Sequence, residues 1–386
     1  MKRKFLILMV AFPMALYARQ TNPVPVNDPI NTDSSVQETA SPTIENGDLS
    51  LEASLDASAM STLGDASPSL PTKSGNQASA RPASSEAPAP EIGGSMVGYI
   101  DNAIIGSEVR LRFDAGFHDN FPDNGEFFYA KCGCYKILGG DYAFDPNAPG
   151  PSPGVATNLN FQQLYLRAEY APTKRFSVFT EVPFRWIQPL SFVPGVGTFS
   201  NQSGISDVSA GVKVAILESS NRVLTAQLEG TFPSGDASKG LGTNHYVFTP
   251  ELLFYQGFSE RLALEGEVGD SHPIGGSAGV PVGNGGFAAD IFYYGVGPSY
   301  TLYQAESFKV ATVLEMVGWH EFGGFETVWL TGSDIANSVN GTNILNFKLG
   351  IRTSFGHSSI YAGYGTPVTH DHWYKGIVRV EYRYYF

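Results

Sequence analysis

Two cysteines, Cys132 and Cys134, lie two residues apart in the stretch KCGCYK. In an exported protein such a pair suggests a disulfide, but this spacing closes a very small, strained ring that would be easily reduced. Free thiols or a bond to another chain are the alternatives. A metal site would need further soft ligands, and the neighbouring sequence offers none. The sequence therefore leaves the state of the two thiols open and predicts no metal site here.

Two other stretches contain residue types that bind ligands in many proteins. The stretch SGDASKGLG places Asp236 and Lys239 among glycines, but it lacks the spacing of a phosphate-binding loop and follows no strand–helix unit. Turn glycines in an exposed loop are the favoured interpretation. The stretch THDHW offers His370 and His372, which are too few for a dedicated metal site because three or four ligands are needed. No cofactor and no metal are predicted.

Catalysis would require a nucleophile beside a base, and His320 followed by Glu321 is the nearest approach to such an arrangement. Some twelve-stranded outer-membrane barrels hydrolyse lipids with a serine and a histidine near the rim. The chain segments predicted below to form the strands on either side of His320 have no serine at the matching positions. We therefore predict that the protein is not an enzyme and assign no catalytic residue; a lipid hydrolase is a minor alternative.

Charged and apolar residues alternate along much of the chain, and strands must position them. In the stretch IVRVEYRYYF, apolar or aromatic residues occupy one parity, and three of the residues between them are charged. The two sets face opposite sides of a strand. A charge facing lipid at mid-depth costs about 2–4 kcal/mol, and a wet lumen avoids this cost. The pattern predicts a transmembrane barrel strand that pairs with the first one, with an assembly signal at Tyr382, Tyr384 and Phe386.

About twelve such runs follow residue 105, most of them 11–15 residues long, whereas soluble strands typically have ~5–6 residues. Short turns alternate with long Gly- and Pro-rich connections, such as 119–158 and 323–342, until the last pair. Outer-membrane barrels combine short periplasmic turns with longer outer loops in this way. The predicted fold class is all-β: a transmembrane antiparallel up-and-down β-barrel of about twelve strands, with ten or fourteen as alternatives.

The N-terminal region has two compositions. Three basic residues and a short apolar stretch predict a secretory signal peptide over residues 1–18. Residues 19–95 are acidic and rich in Ser, Ala and Pro, which predicts a disordered tail because such a segment buries too little apolar surface to fold. The barrel is predicted over residues 96–386, with a long outer loop over 119–158. The expected location is the outer membrane of a two-membrane bacterium, with the tail in the periplasm.

Strand parity assigns many charged residues to the lumen. The wall built from the first three and the last strands is mixed but rich in arginine, and the opposite wall is purely acidic. Such walls set the selectivity of an open pore, or they pair into a plug that holds the barrel shut. The residues predicted to line the lumen are Arg110, Arg112, Arg167, Arg185, Glu229, Glu251, Glu265, Glu267, Glu315, Lys348, Arg352, Arg379 and Arg383.

One part of the chain resembles the family named for the MetA pathway of phenol degradation, a group of outer-membrane transporters. The matching pieces are FPSGDASKGLG, TPELL and SERLAL, with SGISDVSAGVKVAIL upstream and GVGPSYTL downstream. The resemblance extends over about residues 160–320. It implies a barrel and a transport role for small compounds, hydrophobic or aromatic ones included, and it implies no residue-level mechanism.

The combined prediction is an outer-membrane barrel that passes small solutes through its lumen. A plugged barrel that serves only as a structural anchor is the alternative. The expected partners are outer-membrane lipid, the barrel-assembly machinery and a small-molecule solute. Nucleic acid is not an expected partner, because the net charge is −13 and no basic run follows the N-terminal segment.

Overall fold

Twelve antiparallel strands form a closed ring, which confirms the predicted fold class. The structure, a computed structural model, describes residues 95–139, 144–279, 285–330 and 333–386. The predicted signal peptide and nearly all of the predicted tail lie outside the described residues. The strands are β1 (Glu108–Asn120), β2 (Ala156–Thr173), β3 (Phe176–Phe192), β4 (Gln202–Ile205), β5 (Val208–Ser219), β6 (Arg222–Phe232), β7 (Tyr246–Gly257), β8 (Leu262–Ile274), β9 (Asp290–Ala305), β10 (Phe308–Phe322), β11 (Phe325–Leu330), β12 (Ser333–Ser338), β13 (Asn343–Phe355), β14 (Ser358–Pro367) and β15 (Gly376–Tyr385).

The ring comprises β1 to β3, β5 to β10 and β13 to β15. It closes between β1 and β15, where Glu108 lies opposite Tyr385 and Phe117 lies opposite Gly376. Beyond this ladder, the backbone N–H of Phe386 donates to the carbonyl of Ser107 at 3.1 Å. Because β1 also pairs with β2, neither edge of β1 is left open.

The outward side chains of the ring are apolar, and the inward ones carry the charges. In β15, Val380 and Tyr384 are each 45 % exposed, whereas Glu381 and Arg383 are completely buried. An apolar outer belt around a charged interior is the arrangement of a transmembrane barrel. Further exposed apolar residues on ring strands include Leu111, Leu166, Val182, Val214, Leu252, Leu314, Phe347 and Ile351.

The two ends of the barrel differ. Short turns join β2 to β3, β5 to β6, β7 to β8, β9 to β10 and β13 to β14 at the end that also holds Ser107 and Phe386. We call this the turn end, and the opposite end, with the long connections, the loop end. The connection between β10 and β13 is more ordered than expected, because it contains the hairpin β11–β12.

The remaining ordered elements are small. The strand β4 pairs with β3 beyond the reach of β5. Among the described residues, three short 3-10 helices lie in the loop-end connections, at Asn124–Glu126, Gly133–Ile137 and Ala237–Lys239. In the described parts of the chain, no helix has the length and apolar character needed to cross a membrane.

Candidate functional site: a lumen occupied by the chain itself

The charged residues that were predicted to line the lumen occupy inward positions on ring strands. Arg352, Arg383, Glu265 and Glu315 have no exposed surface at all. The arginine-rich wall comprises β13 to β15 and β1 to β3, and the acidic wall comprises β6 to β10. A further luminal cation that was not predicted is Lys213 on β5, whose ammonium lies 3.2 Å from the carboxylate of Glu169.

The chain before β1 occupies the lumen. Residues 95–105, here called the luminal segment, contain Met96, Val97 and Ile100, which are all at most 2 % exposed. These side chains pack with inward residues of the ring, among them Val313 and Tyr361. The luminal segment therefore fills part of the barrel interior, which sequence analysis did not predict.

Carboxylates of the acidic wall accept hydrogen bonds from the backbone of the luminal segment. Glu315 accepts from the N–H groups of Tyr99 at 2.8 Å and Ile100 at 3.0 Å, and from that of Gly98 at 3.2 Å. The hydroxyl of Tyr361 also donates to Glu315, at 3.1 Å. Two further carboxylates bind the same segment: Glu265 accepts from Met96 at 2.9 Å and Glu267 accepts from Asp101 at 2.8 Å.

Cations of the lumen donate to backbone carbonyls of the same segment. Arg352 donates to the carbonyls of Met96 at 3.0 Å and Val97 at 2.6 Å. Arg379 donates to the carbonyl of Gly98 at 2.7 Å. The segment thus presents donors to the carboxylates and acceptors to the arginines. This arrangement satisfies buried charges on both walls without a direct ion pair between them.

The luminal segment separates a pair of charges that the strand register brings together. Glu315 on β10 lies directly opposite Lys348 on β13. The Glu315 carboxylate is occupied by the luminal segment, and the Lys348 ammonium lies 4.0 Å from the centre of the Tyr99 ring, within cation–π range. Tyr99 therefore takes the place of the cross-strand carboxylate.

Small residues make room for the luminal segment. A Cβ atom at Gly297 on β9 would lie 2.9 Å from the side chain of Glu315 and 3.0 Å from that of Val97. A Cβ atom at Gly98 would lie 2.3 Å from the ring of Tyr361. A side chain at either position would force these neighbouring side chains to shift.

Arginines of the arginine-rich wall also form direct ion pairs with acids of the same wall. Arg352 and Arg383 approach the carboxylate of Glu381 at 2.7 Å and 2.6 Å. Arg379 makes two hydrogen bonds of 2.7 Å to Asp114. The arginine-rich wall is therefore compensated largely by its own acids. The acidic wall depends on the luminal segment.

A second part of the chain lies in the barrel mouth at the loop end. Residues 121–139, here called the cap, are joined to the barrel wall by Arg185, which donates to the carbonyl of Phe128 at 2.6 Å and lies 4.0 Å from the centre of its ring. Glu126 accepts from the backbone N–H of Lys131 at 2.7 Å and approaches His245 at 3.5 Å. These buried contacts hold the cap in the barrel mouth.

The cap also contacts the hairpin β11–β12. Asp123 accepts hydrogen bonds from the backbone N–H and the hydroxyl of Thr327. Burial raises the pKa of Asp123. Burial, with the nearby charges of Asp123 and Asp371, raises the pKa of Glu326 to about 7. Several carboxyl groups are thus close together where the cap meets the hairpin.

We expect the contact between the cap and the hairpin to weaken as the pH rises. The pKa of Glu326 is about 7 in the folded protein, against about 4.3 in an unfolded chain. The protonated Glu326 side chain therefore stabilises this contact fully when the pH is below its pKa in the unfolded chain. That stabilisation is lost as the pH rises through about 7. Amide hydrogen exchange in β11 and β12, corrected for the intrinsic rate, should be slower at acidic than at alkaline pH.

Glu326→Gln should reduce this pH dependence, and Glu306→Gln, in an exposed turn, should not. Equal protection of the hairpin in wild-type protein at both pH values would contradict the prediction.

Cys132 and Cys134 are both free thiols in the structure. The two side chains are buried in a cluster with Tyr135 and Phe287. The Sγ of Cys132 instead accepts a hydrogen bond from the backbone N–H of Cys134 at 3.2 Å. Burial raises the pKa of the Cys132 thiol, which disfavours the reactive thiolate. This environment favours a structural role for the cysteine pair.

A cavity of about 460 Å³ lies between the luminal segment and the cap. Tyr99 and Asp101 border it on the side of the segment, and Glu126 and Phe128 border it on the side of the cap. Its volume is in the range of small-molecule sites, about 300–1,000 Å³. The acidic residues that line it include Glu229, Glu251 and Glu267, and the aromatic ones include Tyr293, Trp319 and Tyr374. The cations that line it are Arg110, Arg112, Arg167, Arg185, Lys348 and Arg379.

The other residues considered from the sequence make local contacts. Asp236 and Lys239 form an exposed ion pair of 2.7 Å. His372 contacts the carbonyl of His370 at 2.7 Å and the side chain of Asn120. His320 contacts Asn343 at 2.7 Å and stacks edge-on against Phe322.

A cluster that sequence analysis missed comprises Asp270, His272 and Asp290, at outward positions of β8 and β9. Their possible metal-ligand atoms all lie within 4.8 Å of one another. Cross-strand pairing creates this proximity, because the two aspartates are far apart in the sequence. Three exposed or half-exposed ligands do not by themselves establish a metal site.

Residues 124–269 match the model of the family described as "Putative MetA-pathway of phenol degradation". The predicted family resemblance is confirmed. No curated protein matches the chain in sequence. The matched region includes most of the cap and the strands from β2 to most of β8.

Several solved outer-membrane barrels are similar to this chain. The COG4313 outer membrane channel from Pseudomonas putida F1 has 14 % identity, with 75 % of this chain and 99 % of that chain covered and a TM-score of 0.44. The beta domain of the Bordetella autotransporter BrkA has 11 % identity, with coverages of 73 % and 100 % and a TM-score of 0.43. The toluene transporter TodX from Pseudomonas putida has 9 % identity, with coverages of 72 % and 89 % and a TM-score of 0.36.

In this chain, FPSGDASKGLG, one of the stretches that resemble the MetA-pathway family, forms a loop that holds the cap. The carboxylate of Asp207 accepts hydrogen bonds from the backbone and the hydroxyl of Thr243, at 2.8 and 3.0 Å. The carbonyl of Gly242 accepts from the backbone N–H of Ala130 in the cap, at 3.2 Å. Gly240 ends a 3-10 helix with a φ of +72°, a conformation that favours glycine. The conspicuous residues of the motif are thus explained by loop geometry.

Proposed function

We propose that this protein is a gated outer-membrane channel for small solutes, in which the luminal segment is the gate. The observation that carries this proposal is how the segment is held. Its backbone is bound by side chains of the wall, and it belongs to no ladder of the ring. Hydrogen bonds of this kind can be exchanged for water when the segment leaves, while the closed ring keeps all of its strand pairing.

Withdrawal of the segment would leave a path lined by charge. Glu265, Glu267 and Glu315 would lose their backbone donors and face water in the lumen. The cavity beyond them supplies a compartment in which a small solute can bind, and its aromatic lining suits hydrophobic or aromatic compounds. Rings and walls of charge determine which ions and polar solutes pass.

The proposed location is the outer membrane of a two-membrane bacterium, with the turn end towards the periplasm. Short turns face the periplasm in barrels of this kind, and long loops face outward. Met96 binds Glu265, which lies close to the turn end of β8, so the chain preceding the luminal segment would lie on the periplasmic side. The proposed partners are membrane lipid, the barrel-assembly machinery and the solute.

The second candidate is a permanently plugged barrel that serves as an anchor. The number of buried contacts made by the luminal segment favours it. Deleting residues 95–104 separates the two candidates, because a channel gated by this segment should then conduct ions severalfold better in planar bilayers. Replacing Glu265 and Glu267 with Gln in the deleted protein should lower its preference for cations, because the acidic wall is neutralised.

Removal of ten residues from 40–49 is the length-matched control, and it should leave the conductance at the wild-type level. Heat-modifiable migration on gels establishes that each variant still forms a barrel. A folded deletion variant that conducts no better than wild type would reject the gated channel and favour the anchor.

A further inference from the structure

Lys348 is a buried lysine that borders the cavity. Its side chain is almost completely buried, with 4 % of the residue exposed. The ammonium lies 4.0 Å from the centre of the Tyr99 ring and 5.2 Å from that of Trp319. None of the ion pairs formed among the described residues includes Lys348, because its cross-strand neighbour Glu315 binds the luminal segment. A buried ammonium in this position has donors available for an anion.

The opposite side of the cavity is acidic. Glu229, Glu251 and Glu267 line it and take part in no ion pair within the described chain. Glu251 accepts one hydrogen bond from Gln227 at 2.9 Å, and Glu267 accepts one from the backbone of Asp101 at 2.8 Å. Each carboxylate has two oxygens and several acceptor positions, so capacity remains for a ligand cation.

Aromatic side chains lie between these two charged regions. Lys348 is on β13, the three glutamates are on β6 to β8, and β10 and β9 lie between them in the ring. Trp319 on β10 and Tyr293 on β9 line the same cavity. A ligand bound between the lysine and the glutamates could therefore place a ring against Trp319 or Tyr293.

We propose that the cavity binds a small aromatic zwitterion of the amino-acid class. Its carboxylate would bind Lys348, its ammonium would bind the carboxylates of Glu251 and Glu267, and its ring would pack against Tyr293 and Trp319. A simple anion would leave three acidic residues without a cation, and a simple cation would leave Lys348 without an anion. This inference rests on the proposed function, because it names the class of solute that the channel would accept.

Calorimetric titration of the detergent-solubilised full chain tests the proposal with three compounds. L-phenylalanine carries both charges, 3-phenylpropionate lacks the ammonium, and 2-phenylethylamine lacks the carboxylate. Phenylalanine should bind roughly tenfold or more tightly than either analogue, because a hydrogen bond to a charged group contributes a corresponding free energy. A protein that binds no phenylalanine, or binds either analogue as tightly, would overturn the proposal.

Two sets of variants assign the charged contacts. Lys348→Met should weaken binding of phenylalanine and phenylpropionate but leave phenylethylamine unaffected. The double variant Glu251→Gln and Glu267→Gln should weaken binding of phenylalanine and phenylethylamine only. Lys239→Met and Glu260→Gln, at exposed loop and turn positions, are the matched controls. Equal weakening of all three compounds by Lys348→Met would show a distorted cavity and overturn the assignment.

The bilayer experiment keeps this inference separate from the proposed function. If deletion of residues 95–104 raises the conductance but phenylalanine does not bind wild type, the gated channel stands and the zwitterion site fails. If phenylalanine binds with the expected variant pattern but the deletion leaves the conductance unchanged, the binding site stands and the gate fails.

Discussion

Replacing Glu315 with leucine is expected to release the luminal segment from the acidic wall. This one carboxylate accepts hydrogen bonds from three consecutive backbone N–H groups and from Tyr361. A hydrogen bond to a charged group contributes about 1.5–3 kcal/mol, and a buried donor that loses its acceptor is costly. The combined loss therefore exceeds that of any other single substitution directed at the segment.

Hydrogen exchange provides the measurement. The amides of residues 96–101 should lose most of their protection in Glu315→Leu, while those of β10 and β13 keep theirs. Conductance should rise in the same variant as the gate leaves. Glu315→Gln, which keeps one acceptor oxygen, should give an intermediate effect, and Glu306→Leu in an exposed turn should give none. Unchanged protection of residues 96–101 in Glu315→Leu would refute this role for the carboxylate.

Replacing Phe386 with aspartate is expected to reduce the amount of assembled barrel in membranes severalfold. Its backbone extends the seam between β1 and β15, and its side chain is 63 % exposed on the outer face. A charge near the membrane interface costs only about 0–1 kcal/mol. A large loss would therefore reflect recognition during assembly, as predicted for the signal at Tyr382, Tyr384 and Phe386, and would not reflect instability of the finished barrel.

The matched control is Phe355→Asp, which changes an outward phenylalanine at the same end of the barrel, on β13. Heat-modifiable protein in membrane fractions measures assembly in both variants. Deletion of residues 20–90 should reduce assembly far less than Phe386→Asp. If Phe355→Asp and Phe386→Asp reduce assembly equally, the effect belongs to any charge on the outer face, and the assembly-signal interpretation is wrong.

The sequence by itself determined the barrel. Strand side chains repeat with a period of two, so a run such as IVRVEYRYYF specifies which residues face lipid and which face the interior. The alternation of short turns and long loops then specified an up-and-down barrel with both ends of its ring at one rim. These features are local in the sequence, which is why they could be predicted without knowing any contact between distant residues.

Only the tertiary structure decided what occupies the lumen. Tyr99 and Glu315 are separated by 216 residues, and Arg379 and Gly98 by 281. Their hydrogen bonds join side chains to backbone groups, which every residue possesses, so no residue pattern in the luminal segment marks them. Parity assigns Glu315 and Lys348 to the inner face of the ring, but it shows neither that they lie opposite each other nor that a third segment separates them. The luminal segment occupies the lumen because its backbone forms hydrogen bonds with buried side chains of the closed ring. These hydrogen bonds depend on proximity in three dimensions.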